Sequence, residues 1–409
     1  MTSYWFLSAP LYSHLDWGGY LPTAQALQAR GHDVTWVSEN AAAGPVTQAG
    51  IPFAPVRDIG WLWPPPPLPE ASQMTPSDAV MLRYRRALDT WMSEELVGEA
   101  VIALLELVDQ LGAPEVIVTD PFLTAAALVA EKIGAKLAVC GWVAMRDLND
   151  DLLFPVQKML GGESRARLDA LCARFGVRGD YFSQGPTPSI LSPYLHVSYF
   201  NAAWYQADAP NMLPQTLFVG GTPKSRGEPP EWLTEIPEDT PLALITLGTT
   251  FTGDLGFFSW AAQAAARAGL LPIVALGWNP VEKEDKARLI KALPRGTRLV
   301  NYVPFAHVLP RAPIICHHGG MGTTHAALVH GVPQIVVPHA ADQRGQARRT
   351  AQAKVGLNLS AHDVKQGLLG QAFPALLADE TVRANARAFA DDLASLGGGA
   401  RAAEALERL

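Results

Sequence analysis

Short apolar runs alternate along this chain with stretches of helical periodicity, and the alternation occurs in two blocks. In the first block, residues 4–9 read as a buried strand, 21–29 as a helix stopped by Gly31, and 33–38 as the next strand. A further unit follows, with a strand over 116–119, a helix over 122–133 ended by Gly134, and a strand over 137–141. The second block places strands at 242–247, 271–276, 298–303, 314–316 and 334–338, with a helix over 260–268 and another between the last two strands. Buried strands separated by helices predict an α/β fold with parallel sheets.

Two segments break the pattern: the proline run of residues 61–69 (WLWPPPPLP) and a helical region over 79–111, read as insertions over a site. The proline run is either a stiff polyproline binding element or a plain surface loop. Prolines and glycines cluster over 211–240 and predict a linker. The expected organisation is a first domain over 1–210, the linker, a second domain over 241–385 and a helical tail over 386–409.

At 409 residues and 48% hydrophobic content the chain has enough apolar surface for two cores. A net charge of −7 with Lys and Arg scattered singly argues against a nucleic-acid partner. Cys140, Cys172 and Cys316 are far apart and set in apolar stretches, as expected of reduced thiols in a cytoplasmic protein. The first residues lack a basic, then apolar, leader pattern, and no 18-residue apolar run is present. The expectation is a soluble chain without a transmembrane segment; peripheral membrane contact stays open.

The chemistry concentrates in residues 312–343, APIICHHGGMGTTHAALVHGVPQIVVPHAADQ. Gly319, Gly320 and Gly322 follow a buried strand and permit a tight turn and close ligand approach. Thr323 and Thr324 then open a helix, whose first N–H groups and positive dipole end suit a phosphate. His317 and His318 precede the turn, and Asp342 and Gln343 follow the next strand, so polar groups converge on the C-terminal edge of a parallel sheet, where ligands of such folds bind. The alternative is a βα connection without a ligand. Histidines 317, 318, 325, 330 and 339 suggest a metal at first sight, but adjacent histidines face opposite ways and no carboxylate spacing accompanies them. No metal and no cofactor are expected.

These motifs resemble the family 1 glycosyltransferases of GT-B fold, nucleotide-sugar enzymes with two Rossmann-like domains whose parallel sheets face a central cleft. The resemblance covers most of the chain. HHGGMGTTHAALVHGVPQIVVPHAADQ is similar to the family's donor signature, YVPF at 302–305 to its W-x-P-Q element, and ITLGTT at 245–250 to the first strand and turn of its donor domain. The resemblance implies that His317 and the backbone of Gly319, Gly320, Gly322 and Thr323 hold the diphosphate, with Thr249 in the neighbouring turn. Tyr302 would stack on the base beside Val303, and Asp342 and Gln343 would bind sugar hydroxyls. In the first domain PLYSH makes His14 the implied base and Asp120 its acid partner, a relay in which the carboxylate stabilises the imidazolium.

The sequence departs from the family in two places. The proline after the histidine comes late, at Pro22, so the loop is about five residues longer and Asp16 or Trp17 is able to share the base's role. His325 stands where plant members carry a ribose-binding glutamate, which leaves uridine against thymidine open. His14 also reads as a turn histidine, and Asp120 as a helix cap. Trp61, Trp63 and Trp142, with Trp91 and Trp204, suit either an apolar acceptor pocket or simple core.

The implied activity is an inverting, metal-independent transfer of glucose or a deoxysugar from a UDP- or dTDP-sugar to a hydroxyl of a hydrophobic small molecule. Alternatives are a nucleotide-sugar epimerase of the same fold, or a non-catalytic helper protein. A dehydrogenase is disfavoured because no G-x-G-x-x-G follows the first strand.

Overall fold

The computed structural model describes residues 1–11, 15, 18–62, 75–141, 143, 155–185, 188–223, 227–248, 255–277, 281–339 and 343–409. His14, Asp16, Trp17, Trp63, Trp142, Thr249 and Asp342, all expected site residues, lie outside this set.

The described chain divides into two compact units, residues 1–199 with 206–219 and 397–409, and residues 200–205 with 220–396. The first unit holds a seven-stranded sheet of order β3-β2-β1-β4-β5-β6-β7, with every neighbouring pair parallel. Its strands are β1 (Ser3–Leu7), β2 (Asp33–Ser38), β3 (Phe53–Pro55), β4 (Val116–Thr119), β5 (Lys136–Gly141), β6 (Leu195–Ser198) and β7 (Thr216–Phe218). The second holds six parallel strands in the order β10-β9-β8-β11-β12-β13. These are β8 (Leu242–Thr246), β9 (Leu271–Ala275), β10 (Arg298–Val300), β11 (Ile314–His317), β12 (Gln334–Val336) and β13 (Gly356–Asn358). Both sheets repeat the doubly wound order 3-2-1-4-5-6, extended by one strand in the first. Strand order reverses between β1 and β4 in one unit and between β8 and β11 in the other. The crevice beyond the C-terminal ends of such a pair is where doubly wound folds bind ligands.

Central strands are apolar on both faces because helices cover both sides. Residues of β4, β8 and β11 are buried throughout. In the first unit the longer helices are α1 (Tyr20–Ala29), α2 (Pro76–Met92), α3 (Glu94–Leu111), α4 (Thr124–Ile133) and α5 (Pro155–Phe175). The run TAAALVA of α4 is buried at every position, and its small residues let the helix sit close to the sheet. Gly134 ends it in the left-handed conformation at φ 74°. The helical region expected over 79–111 is two helices, separated at Ser93, which caps the second through Leu96 N–H at 3.4 Å. In the second unit are α6 (Leu255–Arg267), α7 (Met321–Val329), α8 (Gln343–Gln352) and α9 (Glu380–Ser395), while α10 (Gly398–Leu406) returns to the first. There α10 packs on α1, Tyr4 donates to the Leu406 carbonyl, and Glu407 accepts from Arg30 and bonds His32 at 2.8 Å.

Three placements differ from the sequence reading. Residues 216–218 lie inside the stretch read as a linker, yet they form β7, hydrogen-bonded to β6. Trp204, grouped above with tryptophans of the first domain, belongs to the second unit, where its Nε1 donates to Gln346 Oε1 at 2.9 Å. The helical tail is also divided, with Glu380–Ser395 in the second unit and 397–409 in the first. Among the described residues no helix is long and apolar enough to cross a membrane.

Candidate functional site

The switch point of the second sheet is built from the ends of β8 and β11. Gly248 follows β8 at φ 80°, and its N–H is held by Thr246 Oγ1 at 3.0 Å. From β11 the chain runs through His317, His318 and Gly319 into Gly320, the N-cap of α7.

The two histidines do different work because successive side chains of extended backbone leave on opposite sides. His317 is fully buried; Gly319 N–H donates to its Nδ1 at 3.1 Å, and its Nε2 lies 2.9 Å from Gln334 Oε1. With both ring nitrogens engaged inside the protein, His317 supports the turn, and the diphosphate-holding role expected of its side chain does not fit this placement. Gly319 likewise has its N–H turned to His317. What demands glycine there is φ 89°, together with a Cβ that would lie 2.8 Å from Val336 Cγ1 and 3.0 Å from the Gln343 carbonyl.

His318 occupies the crevice. Its ring fills the space where a Cβ on Gly248 would stand, 2.6 Å from Cε1, and where one on Gly320 would stand, 2.4 Å from Nε2. Glycine is thus required on both sides of this imidazole. Burial, with the neighbouring His317 and His339, lowers the His318 pKa to about 3 against an opposing bond to the Thr246 backbone, and burial lowers that of His317 to about 4 against its Gln334 bond. Both rings are neutral at physiological pH. The sequence reading put His317 at the ligand, whereas the ring that occupies the crevice is that of His318; the alternation of successive strand residues was the available signal.

Gly320 caps α7 without any side-chain hydrogen bond, and the first helical bond is Thr324 N–H to the Gly320 carbonyl at 2.9 Å. The N–H groups of the first turn, which include those of Gly322 and Thr323, therefore have no acceptor within the helix. A Cβ at Gly322 would meet no heavy atom within 4 Å, so this glycine is not required by protein packing. An open glycine at a helix N-terminus, beside a neutral imidazole, is a place for an anion.

Tyr302, Val303 and Gln343, also expected at the donor site, are described in the same unit. Tyr302 follows β10 and is 46% exposed, while Val303 beside it is buried in the core. Gln343 is the buried first residue of α8, and its Oε1 accepts the His339 N–H at 2.9 Å. His325 is buried edge-on to Phe200, with ring centroids 5.2 Å apart. Among the described residues no cluster of three or more His, Cys, Asp or Glu side chains is arranged to hold a metal.

At the switch point of the first sheet, Asp120 follows β4 and is fully buried. Its Oδ1 accepts Phe122 N–H at 2.8 Å, a turn of the backbone two residues on; α4 itself begins at Thr124 with Leu123 as its N-cap. Phe122 lies against Trp61 and Trp91, at centroid distances of 5.9 and 5.5 Å. An aromatic cluster therefore adjoins the Asp120 turn.

Residues 281–409 match the family model of the erythromycin biosynthesis protein CIII-like C-terminal domain. The chain is 29% identical to the elloramycin glycosyltransferase ElmGT of Streptomyces olivaceus over 92% of its length and 90% of that protein. Its fold matches the glycotransferase of kitacinnamycin with a TM-score of 0.76 at 22% identity, over 100% of this chain and 99% of the other. The spinosyn rhamnosyltransferase SpnG, in complex with thymidine diphosphate, matches at a TM-score of 0.69 and 19% identity over 99% of this chain and 100% of the other. Two doubly wound parallel sheets, a glycine turn at the second switch point and these relatives identify the chain as a glycosyltransferase of GT-B fold, similar to the natural-product glycosyltransferases.

Proposed function

We infer that this glycosyltransferase moves glucose or a deoxysugar from a UDP- or dTDP-sugar to a hydroxyl of a hydrophobic small molecule, with inversion and without a metal, in the cytoplasm. The observation that carries the reading is the α7 N-terminus, where an uncapped helix end, the open Gly322 and the neutral His318 meet at the β8/β11 switch point. The first-turn N–H groups and His318 receive the diphosphate, Tyr302 stacks on the base, and Gln343 with Asp342 positions the sugar.

Transfer is one in-line displacement. The acceptor oxygen forms a bond to the anomeric carbon as the bond from that carbon to the diphosphate oxygen breaks, and the leaving electron pair stays on the diphosphate. Negative charge grows there in the transition state, so donors already aimed at it contribute most at that moment. The acceptor proton passes to His14, whose imidazolium Asp120 stabilises. Trp61, with Phe122 and Trp91, offers an apolar surface next to Asp120 for the acceptor; Asp16, Trp17, Trp63 and Trp142 are the other candidate acceptor residues.

The test is release of nucleoside diphosphate from UDP-glucose and dTDP-glucose with a panel of lipophilic alcohols and phenols, in wild type and His14→Ala. Acceptor-dependent release that collapses in the variant supports the reading. Donor binding with no acceptor-dependent release refutes it, and undiminished activity in His14→Ala removes His14 as the base.

A further inference from the structure

The pairing of Gln334 with His317 has a consequence for the glycine turn. Gly319 N–H is an obligatory donor, and the acceptor it meets is His317 Nδ1 at 3.1 Å. That nitrogen therefore carries a lone pair, and in a neutral ring the proton sits on Nε2. Nε2 faces Gln334 at 2.9 Å, so Gln334 has to present its oxygen, as it does. Parallel register sets the meeting: Gln334 stands opposite Ile315, two residues before His317 on the same face of the sheet. Gln334 is itself fixed, its N–H donating to the Val355 carbonyl at 3.1 Å, with Gly356 so close that a Cβ there would lie 1.9 Å from the Gln334 carbonyl oxygen. Its own Nε2 is buried and has no hydrogen-bond partner among the described residues. A buried amide kept with one half unsatisfied is retained for the other half, the neutral acceptor.

We propose that Gln334 is a positioning residue for the diphosphate: its oxygen holds His317 in the Nε2–H tautomer, which receives Gly319 N–H and so aims the first turn of α7 at the ligand. This rests on the donor-site reading above. Gln334 touches no substrate and acts through His317 alone. A carboxylate in its place keeps an acceptor oxygen but adds a charge that favours protonated His317. Protonation turns Nδ1 into a donor against Gly319 N–H and spoils the turn.

The experiment is calorimetric binding of dTDP, and of UDP if dTDP does not bind, to wild type, Gln334→Leu and Gln334→Glu at pH 8.5 and pH 6. Affinity of Gln334→Leu is expected to fall about tenfold or more at both pH values, because the tautomer is no longer held. For Gln334→Glu the expected result is affinity within about threefold of wild type at pH 8.5 and a further loss of about tenfold at pH 6. Taking the ratio to wild type cancels the ionisation of the nucleotide itself. A role confined to folding lowers thermal stability without this pH-dependent ratio. A Gln334→Glu ratio that stays constant between the two pH values overturns the proposal, whatever Gln334→Leu does, including a failure to fold. Wild type that binds neither nucleotide overturns the donor site and this inference together, whereas normal wild-type binding with a constant ratio overturns this inference alone.

Discussion

Gly320 and Gly322, two residues apart, should respond to the same substitution in opposite ways, because one faces protein and the other faces open space. In Gly320→Ala the new Cβ would stand 2.4 Å from His318 Nε2 and 2.8 Å from Cε1, and the ring is already confined by Gly248 on its other side. Either the imidazole leaves its place or the helix start shifts, and overpacking of this kind costs about 1–3 kcal/mol. For a unit of this size about 2 kcal/mol corresponds to a fall of about 4–8 °C in Tm. In Gly322→Ala the Cβ meets nothing within 4 Å. Alanine is the better helix former by up to about 1 kcal/mol, less in a first turn, so the Tm should hold or rise slightly. Both variants should nevertheless lose dTDP affinity, Gly320→Ala because His318 is displaced and Gly322→Ala because the methyl occupies the ligand's approach. Differential scanning calorimetry without ligand and titration with dTDP separate the two effects. Gly322→Ala that binds dTDP as well as wild type would refute the assignment of this open glycine to the ligand, and an unchanged Tm in Gly320→Ala would refute the described position of His318.

Further outcomes follow from the same geometry. Buried His196, His317 and His318 have pKa values lowered to about 4, 4 and 3, chiefly by burial, from an ordinary value near 6.5. Since the unfolded chain takes up these protons first, their contribution to stability is complete above about pH 6.5 and is lost as pH falls towards 4. Between pH 7 and pH 5 the loss is about 2 kcal/mol per histidine, hence about 2 for the first unit and about 4 for the second, readable by urea unfolding at each pH. A flat profile over that range would contradict neutral burial of these rings. Tyr302→Ala should raise the donor KM about tenfold with little change in Tm, since the ring is half exposed and stacking on a base contributes about 1–3 kcal/mol. Asp120→Asn keeps an oxygen for Phe122 N–H, so folding and dTDP binding should persist while kcat falls by about 10²-fold or more. Equal losses in nucleotide binding would instead make Asp120 a purely structural residue.

The sequence made the long central elements legible and the short peripheral ones not. Strands such as β1, β4, β8 and β11 are largely apolar and buried on both faces, so the apolar run alone located them. The three-residue strands β3, β7 and β13 are too short to show a period, and the residues of β7 are only partly buried, so no apolar run marks it; β10 and β12, equally short, were caught inside the longer runs at 298–303 and 334–338. Residues 216–218 were masked further by the prolines and glycines around them. The glycine turn was readable because φ 89° at Gly319 admits little else. Which histidine occupies the crevice was not, since that depends on Gly248 and Gly320, in turns after different strands, closing on His318. Gln334 was equally hidden, because an apolar-looking G-V-P-Q-I-V-V gives no hint that one amide will meet a histidine two strand positions away.

The account stands on the diphosphate occupying the α7 N-terminus, and a crystal structure with dTDP or UDP tests that most directly. The account predicts phosphate oxygens within about 3 Å of the Gly322 and Thr323 N–H groups and beside the His318 ring, with His317 still bonded to Gln334 and Gly319. A diphosphate held by the His317 side chain, or bound away from this turn, would contradict it.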